Sequence, residues 1–337
     1  MSSSYLKLKD DVDFRAPILL THLTGAEDAG DAGELVVKQL LTSLPSTRVA
    51  TFDYDHLLDY RSNRPRVRVK DGKVVEVQTP GIALDLVIED GGTPILILHG
   101  SEPDLGWKGF AKDVQKIAQD AGVEIAVSVM GIPSNIPHTR PPLVHTQYVN
   151  ADEPMGLEDG ELPDFEFPSS ADTYLQYALS KVGIDGVTFI ATVPYYLARM
   201  TNPLATIALL DHMRSMLELN LPTGNADLGV ELIKEYLKGV FDEDQEKAEL
   251  LGHMEHMYDE TIGDGDDKIA RILERSQQPL DEEQISEITA DFDMDGLTKD
   301  IQNFISRTSI HSGEEPESKP TRPKPRHRAP LPWENDD

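Results

Sequence analysis

The chain has 337 residues, 39% of them hydrophobic, and 60 Asp and Glu against 31 Lys and Arg give a formal net charge of −29. That is apolar content for a real core and length for one large domain plus a smaller one, whereas the acidity disfavours nucleic acid and anionic membrane, whose phosphates are met by Lys and Arg. The absence of cysteine excludes disulfides, thiolate metal ligands and cysteine nucleophiles. No stretch approaches the run of about 18 apolar residues that a membrane helix needs. The start, Met1 to Asp13, has neither an apolar h-region nor a small-residue cleavage site, so a cytoplasmic address is expected.

Ile18-Leu19-Leu20 and Val49 to Phe52 are short apolar runs, and Leu35 to Leu44 between them has apolar residues at helical spacing. Asp31, with Glu34 three residues on, is the candidate cap of that helix. Arg66 to Val69 and Val74 to Val77 flank Asp71-Gly72, a hairpin signal. Ala83 to Ile88 is read as continuing the meander, and the hairpin after residue 66 is read as making the sheet mixed. Ile95 to Leu98 is an unbroken apolar strand of the kind covered on both faces. A helix follows with Trp107, Phe110, Val114, Ile117 and Ala121 on one face, then a strand from Val123 to Met130. Ser170 opens a further helix, Val187 to Val193 is a strand, and Asn202 with Pro203 starts a helix reaching about Leu219.

Strands alternating with helices predict an α/β fold, a mixed sheet with helices on both faces. Its ligand-binding loops are expected beyond the strand ends, beginning at His99, Gly131 and Pro194. The character changes at Gly224. Residues 225–302 hold 23 Asp and Glu against 7 Lys and Arg and carry helical stretches. The final stretch, 311–337, has six prolines in 27 residues and is expected to be disordered. The expected organisation is an α/β core domain over 1–222, an acidic helical segment over 225–307 and a Pro-rich tail.

No motif carries established chemistry. The Gly-rich run Thr24 to Gly33 lacks the Lys-Ser/Thr of a phosphate loop, and its carboxylates Glu27, Asp28 and Asp31 repel phosphate. There is no nucleophile elbow for His99 or His138 to serve. His253 and His256 do not form a zinc-protease motif. Asp291 to Gly296 opens like a calcium loop but has Gln302 where a glutamate is needed. No catalytic residue, metal or cofactor is expected, and a non-enzymatic reading is favoured over an enzymatic one. The most unusual stretch is 131–142, where Pro133, Pro137, Pro141 and Pro142 surround His138-Thr139-Arg140. Prolines stiffen such a loop into a recognition surface or a pocket wall. If it meets the segment after the preceding strand, Glu102 or Asp104 can pair with Arg140.

Several segments in order resemble the proteasome assembly chaperone 2 family in its actinobacterial branch. They are Thr24 to Gly33, Val49 to Asp55, Asn63-Arg64-Pro65, Glu102-Pro-Asp-Leu-Gly-Trp107 with Phe110, Gly131 to Pro141 and Val193-Pro-Tyr-Tyr-Leu197. The resemblance implies a three-layer α/β/α core, like that of nucleoside phosphorylases and hydrolases, and a role in protein interaction and assembly. The C-terminal hydrophobic-Tyr-x motif of some eukaryotic relatives is absent from the ending Trp333-Glu334-Asn335-Asp336-Asp337. A homo-oligomer is expected, a trimer ahead of a dimer, with an unknown protein partner. The candidate binding residues are His99, Glu102, Asp104, Trp107, Pro133, His138, Thr139, Arg140 and Tyr195. The alternative is a small-molecule-binding enzyme on a phosphorylase-like fold, with His99, Glu102 and His138 in its pocket.

Overall fold

The structure is a computed structural model and describes residues 6–9, 14–149, 166–224, 226–242 and 245–263. The chain begins with β1 (Leu6–Leu8), β2 (Ile18–Thr24), α1 (Ala32–Ser43), β3 (Ser46–Phe52) and the single turn α2 (Tyr54–Leu57). Next come β4 (Arg66–Lys70), β5 (Lys73–Gln78), β6 (Ile82–Ile88), β7 (Pro94–Ser101), α3 (Trp107–Ala121), β8 (Ile125–Ser134) and β9 (Val144–Val149). The remainder is α4 (Ala171–Ser180), β10 (Asp185–Pro194), α5 (Pro203–Leu217), α6 (Ala226–Asp242) and α7 (Gln245–Gly263).

Eight strands form one mixed sheet in the order β1-β3-β6-β7-β2-β8-β10-β9. The pairs β7–β2, β2–β8 and β8–β10 are parallel. The flanking pairs β1–β3, β3–β6, β6–β7 and β10–β9 are antiparallel. Alternation along each strand divides the core between two faces. Leu19 and Leu23 of β2 and Leu96 and Leu98 of β7 pack under α3 and α4 with Phe110, Val114, Leu175 and Leu179. Ile18, Leu20, Ile95 and Ile97 point to the other face, under α1 and α5 with Val36, Leu40 and Leu209. This is the three-layer α/β/α arrangement. Ile233, Leu237 and Phe241 of α6 and Met254 of α7 join the second core and extend it outward past α5.

The sheet is mixed for a different reason than the sequence suggests. The β4–β5 hairpin forms a two-stranded sheet of its own and does not enter the main one. The antiparallel character comes from β6, β3, β1 and β9 instead. β8 is also longer than the apolar run predicts. It continues through Gly131-Ile132-Pro133-Ser134, which pair with Ala191 to Pro194 of β10. The register of β2 with β8 covers only Ile18–Thr21 against Ile125–Ser128. Pro133 therefore sits where β8 has become an edge, the place in a sheet that tolerates a missing N–H.

Local chemistry sets the helix starts. Asn202 accepts from the Leu204 and Ala205 N–H groups and Pro203 takes the first turn of α5. The Ser170 hydroxyl accepts from Thr173 N–H at the start of α4. Asp31 does not cap α1: its backbone is left-handed, φ 50, and its side chain makes no cap bond. Asp28 does that work. Its carboxylate accepts from Gly33 N–H at 3.0 Å, from Glu34 N–H at 3.1 Å and from Gly131 N–H at 2.7 Å. One side chain thus ties the start of α1 to the end of β8. Among the described residues no helix is long and apolar enough to cross a membrane. The Pro-rich tail, the calcium-loop-like stretch and the part of the acidic segment beyond residue 263 lie outside the described residues.

Candidate functional site

The nine candidate residues fall into three places. The first is the exit of β7. Glu102 accepts from Ala171 N–H, 3.0 Å, at the start of α4, and its own N–H bonds Thr24 O at 2.7 Å. Burial, followed by the nearby Asp172 and Asp104, pushes the Glu102 carboxyl above its usual range even though the Ala171 bond pulls the other way. Asp104 accepts from Asp59 N–H at 2.7 Å and from Asn63 Nδ2 at 2.9 Å, pinning the turn after α2. Trp107 donates to Pro103 O and meets the Tyr174 ring edge-on at 5.5 Å. These residues bind β7 to its neighbours. None of them pairs with Arg140, so the expected Glu102 or Asp104 partnership is corrected.

The second place is the loop after β8, and its partners come from the C-terminal helices. Arg140 makes a two-pronged contact with Asp259, Nε to Oδ1 at 2.8 Å and NH2 to Oδ2 at 2.7 Å, and donates from NH1 to Glu255 at 3.0 Å. The pairing holds the guanidinium pKa up and the Asp259 carboxyl down. Thr139 donates to Glu255 at 2.5 Å, and the Tyr258 hydroxyl donates to Pro141 O at 2.6 Å. Behind them His138 N–H donates to the Tyr196 hydroxyl at 2.9 Å, and that oxygen lies 2.8 Å from His138 Nδ1. A hydroxyl that accepts from the amide has its own proton free to donate to Nδ1, which keeps the imidazole neutral. Phe241 of α6 packs on the His138 ring at 4.8 Å. Burial pushes the His138 pKa down to about 4, with Glu255 opposing, and pushes the Tyr196 phenol up. Tyr195, in the turn after β10, is raised by burial and then by Glu27. Helices α6 and α7 therefore clasp the proline-stiffened loop.

The third place is a cross-strand polar row on the α1 face of the sheet. Arg48 of β3 donates to Asp85 of β6 at 2.5 Å, and the other Asp85 oxygen lies 2.7 Å from His99 Nε2 of β7. Burial by itself would raise the Asp85 carboxyl, but the hydrogen bonds from His99 and Arg48 outweigh it and hold it low. An ionised Asp85 only accepts, so His99 carries its proton on Nε2. His22 of β2 is the register partner of His99. It is buried, its Nδ1 is 3.1 Å from Val129 O, and its Nε2 has no hydrogen-bond partner. The ring fits because residue 33 is glycine: a Cβ there would come within 2.6 Å of His22 Nδ1. His22 is the residue that sequence reasoning missed. The signal was its place five residues into an apolar strand, at the same strand end as His99. On α7, His256 lies 3.3 Å from Glu260, and no group of three metal-ligating side chains gathers among the described residues.

The PAC2 family model matches residues 22–239. The structure resembles the Mycobacterium tuberculosis protein of unknown function Rv2714 with a TM-score of 0.73 and 29% identity, covering 82% of this chain and 97% of that one. It resembles the M. tuberculosis proteasome-assembly chaperone homologue Rv2125 with a TM-score of 0.62 and 28% identity, covering 69% and 99%. A Streptomyces avermitilis PAC2 family protein matches with a TM-score of 0.60 and 27% identity, covering 69% and 99%. No curated protein matches the chain.

Proposed function

The chain belongs to the PAC2 family, and on that premise we propose a non-enzymatic, assembly-chaperone-like protein that works as a homo-oligomer and binds a protein partner. Similarity to a proteasome-assembly chaperone homologue supports the class of role. The observation that carries the reading is the β4–β5 hairpin. Its register pairs Val67 with Val77 and Val69 with Val74, which puts the four valines on one face. They are 54%, 56%, 60% and 62% exposed. The opposite face holds Arg66, Arg68, Lys70 and Lys73, with Arg68 paired to Glu76 at 2.6 Å. An isolated two-stranded hairpin is marginal in water. Burying each valine is worth about 1 to 2 kcal/mol. A basic arm on a chain of net charge −29 finds its complement on another copy of the same chain.

An arm that docks on a different surface of its neighbour makes a heterologous contact, and the smallest closed ring of that kind is a trimer. The clasped loop with His138, Thr139 and Arg140 then serves as a surface for the partner, presented on the α/β unit of residues 1–222. Light scattering tests the ring: the wild-type chain gives a multiple of the protomer mass, and Val67→Lys with Val77→Lys gives the protomer mass with unchanged circular dichroism. An unchanged mass for that variant would remove the hairpin from the assembly. A pull-down from cytoplasm with wild type and Thr139→Ala tests the partner surface. Identical captured proteins would detach the loop from binding.

A further inference from the structure

The cross-strand polar row opens onto a cleft of about 470 Å³ that the assembly reading leaves unused. The cleft stands at a switch point of the sheet. From β2 the chain crosses to α1 on one face, and from β7 it crosses to α3 on the other. Adjacent parallel strands whose connections diverge leave a crevice beyond their carboxyl ends, the preferred ligand position in such sheets. The volume lies within the range of small-molecule sites, about 300 to 1,000 Å³.

The lining has a definite chemistry. His22 and His99 lie side by side at the base. His99 is oriented by Asp85, itself held by Arg48, so the polar atom left for a ligand is Nδ1. Buried His22 lies beside it, its Nδ1 turned to Val129 O and its enclosed Nε2 3.5 Å from Asp28. On the facing wall α1 supplies Lys38, with Glu34 one turn earlier and Val37 and Leu41 as an apolar strip. Gly81 and Gly100 keep the opposite wall at backbone height, since a Cβ on Gly100 would fall 1.8 Å from Gly81 O. Thr24 and Ser101 add hydroxyls.

We infer that this cleft binds a small aliphatic organic acid carrying an amino or hydroxyl group beside its acid group. The acid group meets Lys38, the neighbouring donor meets His99 Nδ1 and Glu34, and the aliphatic arm lies on Val37 and Leu41. Asp85, the other carboxylate of the row, is already matched by Arg48 and His99 and does not repel the acid. The inference is independent of the assembly reading: the hairpin and the clasped loop contribute nothing to the cleft.

The test follows the ring C–H signals of His22 and His99 by NMR in the full chain while L-leucine, or its hydroxy-acid analogue, is added. A saturable shift of the His99 ring below about 20 mM is expected with at least one probe. The probe that works identifies the neighbouring group as amine or hydroxyl. Lys38→Ala is expected to weaken binding about tenfold, the loss of one charge-assisted contact, with the remaining spectrum unchanged. Shifts from neither probe, or equal affinity in Lys38→Ala, would overturn the inference.

Discussion

At the scale of single residues the clasped loop makes opposite demands on His138 and Arg140. His138 has its pKa pushed down to about 4 by burial, against about 6.5 in an unfolded chain. A folded pKa below the unfolded one gives stability that is complete above about 6.5 and is lost as pH falls toward about 4, at most about 3 kcal/mol. His145, buried against β10 and likewise pushed down to about 4, adds a parallel loss. The melting temperature should fall between about pH 6.5 and about pH 4.5, and the fall should be shallower in His138→Gln. Arg140 is largely a surface matter. Its ion pairs with Glu255 and Asp259 are solvent-screened, so Arg140→Ala should move the melting temperature by no more than about 2 °C. It should still release α7, read as severalfold faster amide exchange over Gln245–Gly263. The loop that carries these two residues stood out in the proline spacing around it, but their partners were not legible. Glu255 and Asp259 lie 115 and 119 residues away from Arg140, and no local pattern encodes that contact. His22 was hidden because an apolar strand reads as core whatever single polar residue it carries.

Among the elements, the interior of the fold was easier to read than its borders. β2, β7 and β10 are continuous apolar runs, and α1 and α3 have a clear helical period, because both faces of the sheet are covered. β1 is three residues long, and β9 is a border strand just after Pro141 and Pro142 in which only His145 is fully buried. A strand with one neighbour and little burial leaves almost no alternation to detect. The hairpin was legible as a hairpin, but its separation from the sheet was not, because its alternation of Val with Arg and Lys is equally compatible with a half-covered strand. The capping signal at Asn202 held, and it supplies a prediction. Asn202 is buried and caps α5 on two amides. Asn202→Ala should therefore cost about 1 kcal/mol or somewhat more in denaturant unfolding. Asn202→Asp, which keeps the acceptor, should recover most of that loss.

For the molecule as a whole, the exposed valine face and the excess negative charge pull in different directions. In the proposed homo-oligomer, repulsion between protomers of net charge −29 has to be offset by contacts the isolated chain cannot make. If the hairpin supplies them, stability is linked to association: the melting temperature should rise with protein concentration in the wild type and be independent of it in Val67→Lys with Val77→Lys. The clasp on the loop after β8 has a consequence in time. Glu255 follows Arg140 by 115 residues. At about 5 to 20 residues per second, a ribosome needs about 6 to 23 s to deliver it. Throughout that interval the nascent chain carries His138-Thr139-Arg140 unclasped, accessible before its own helices exist to cover it.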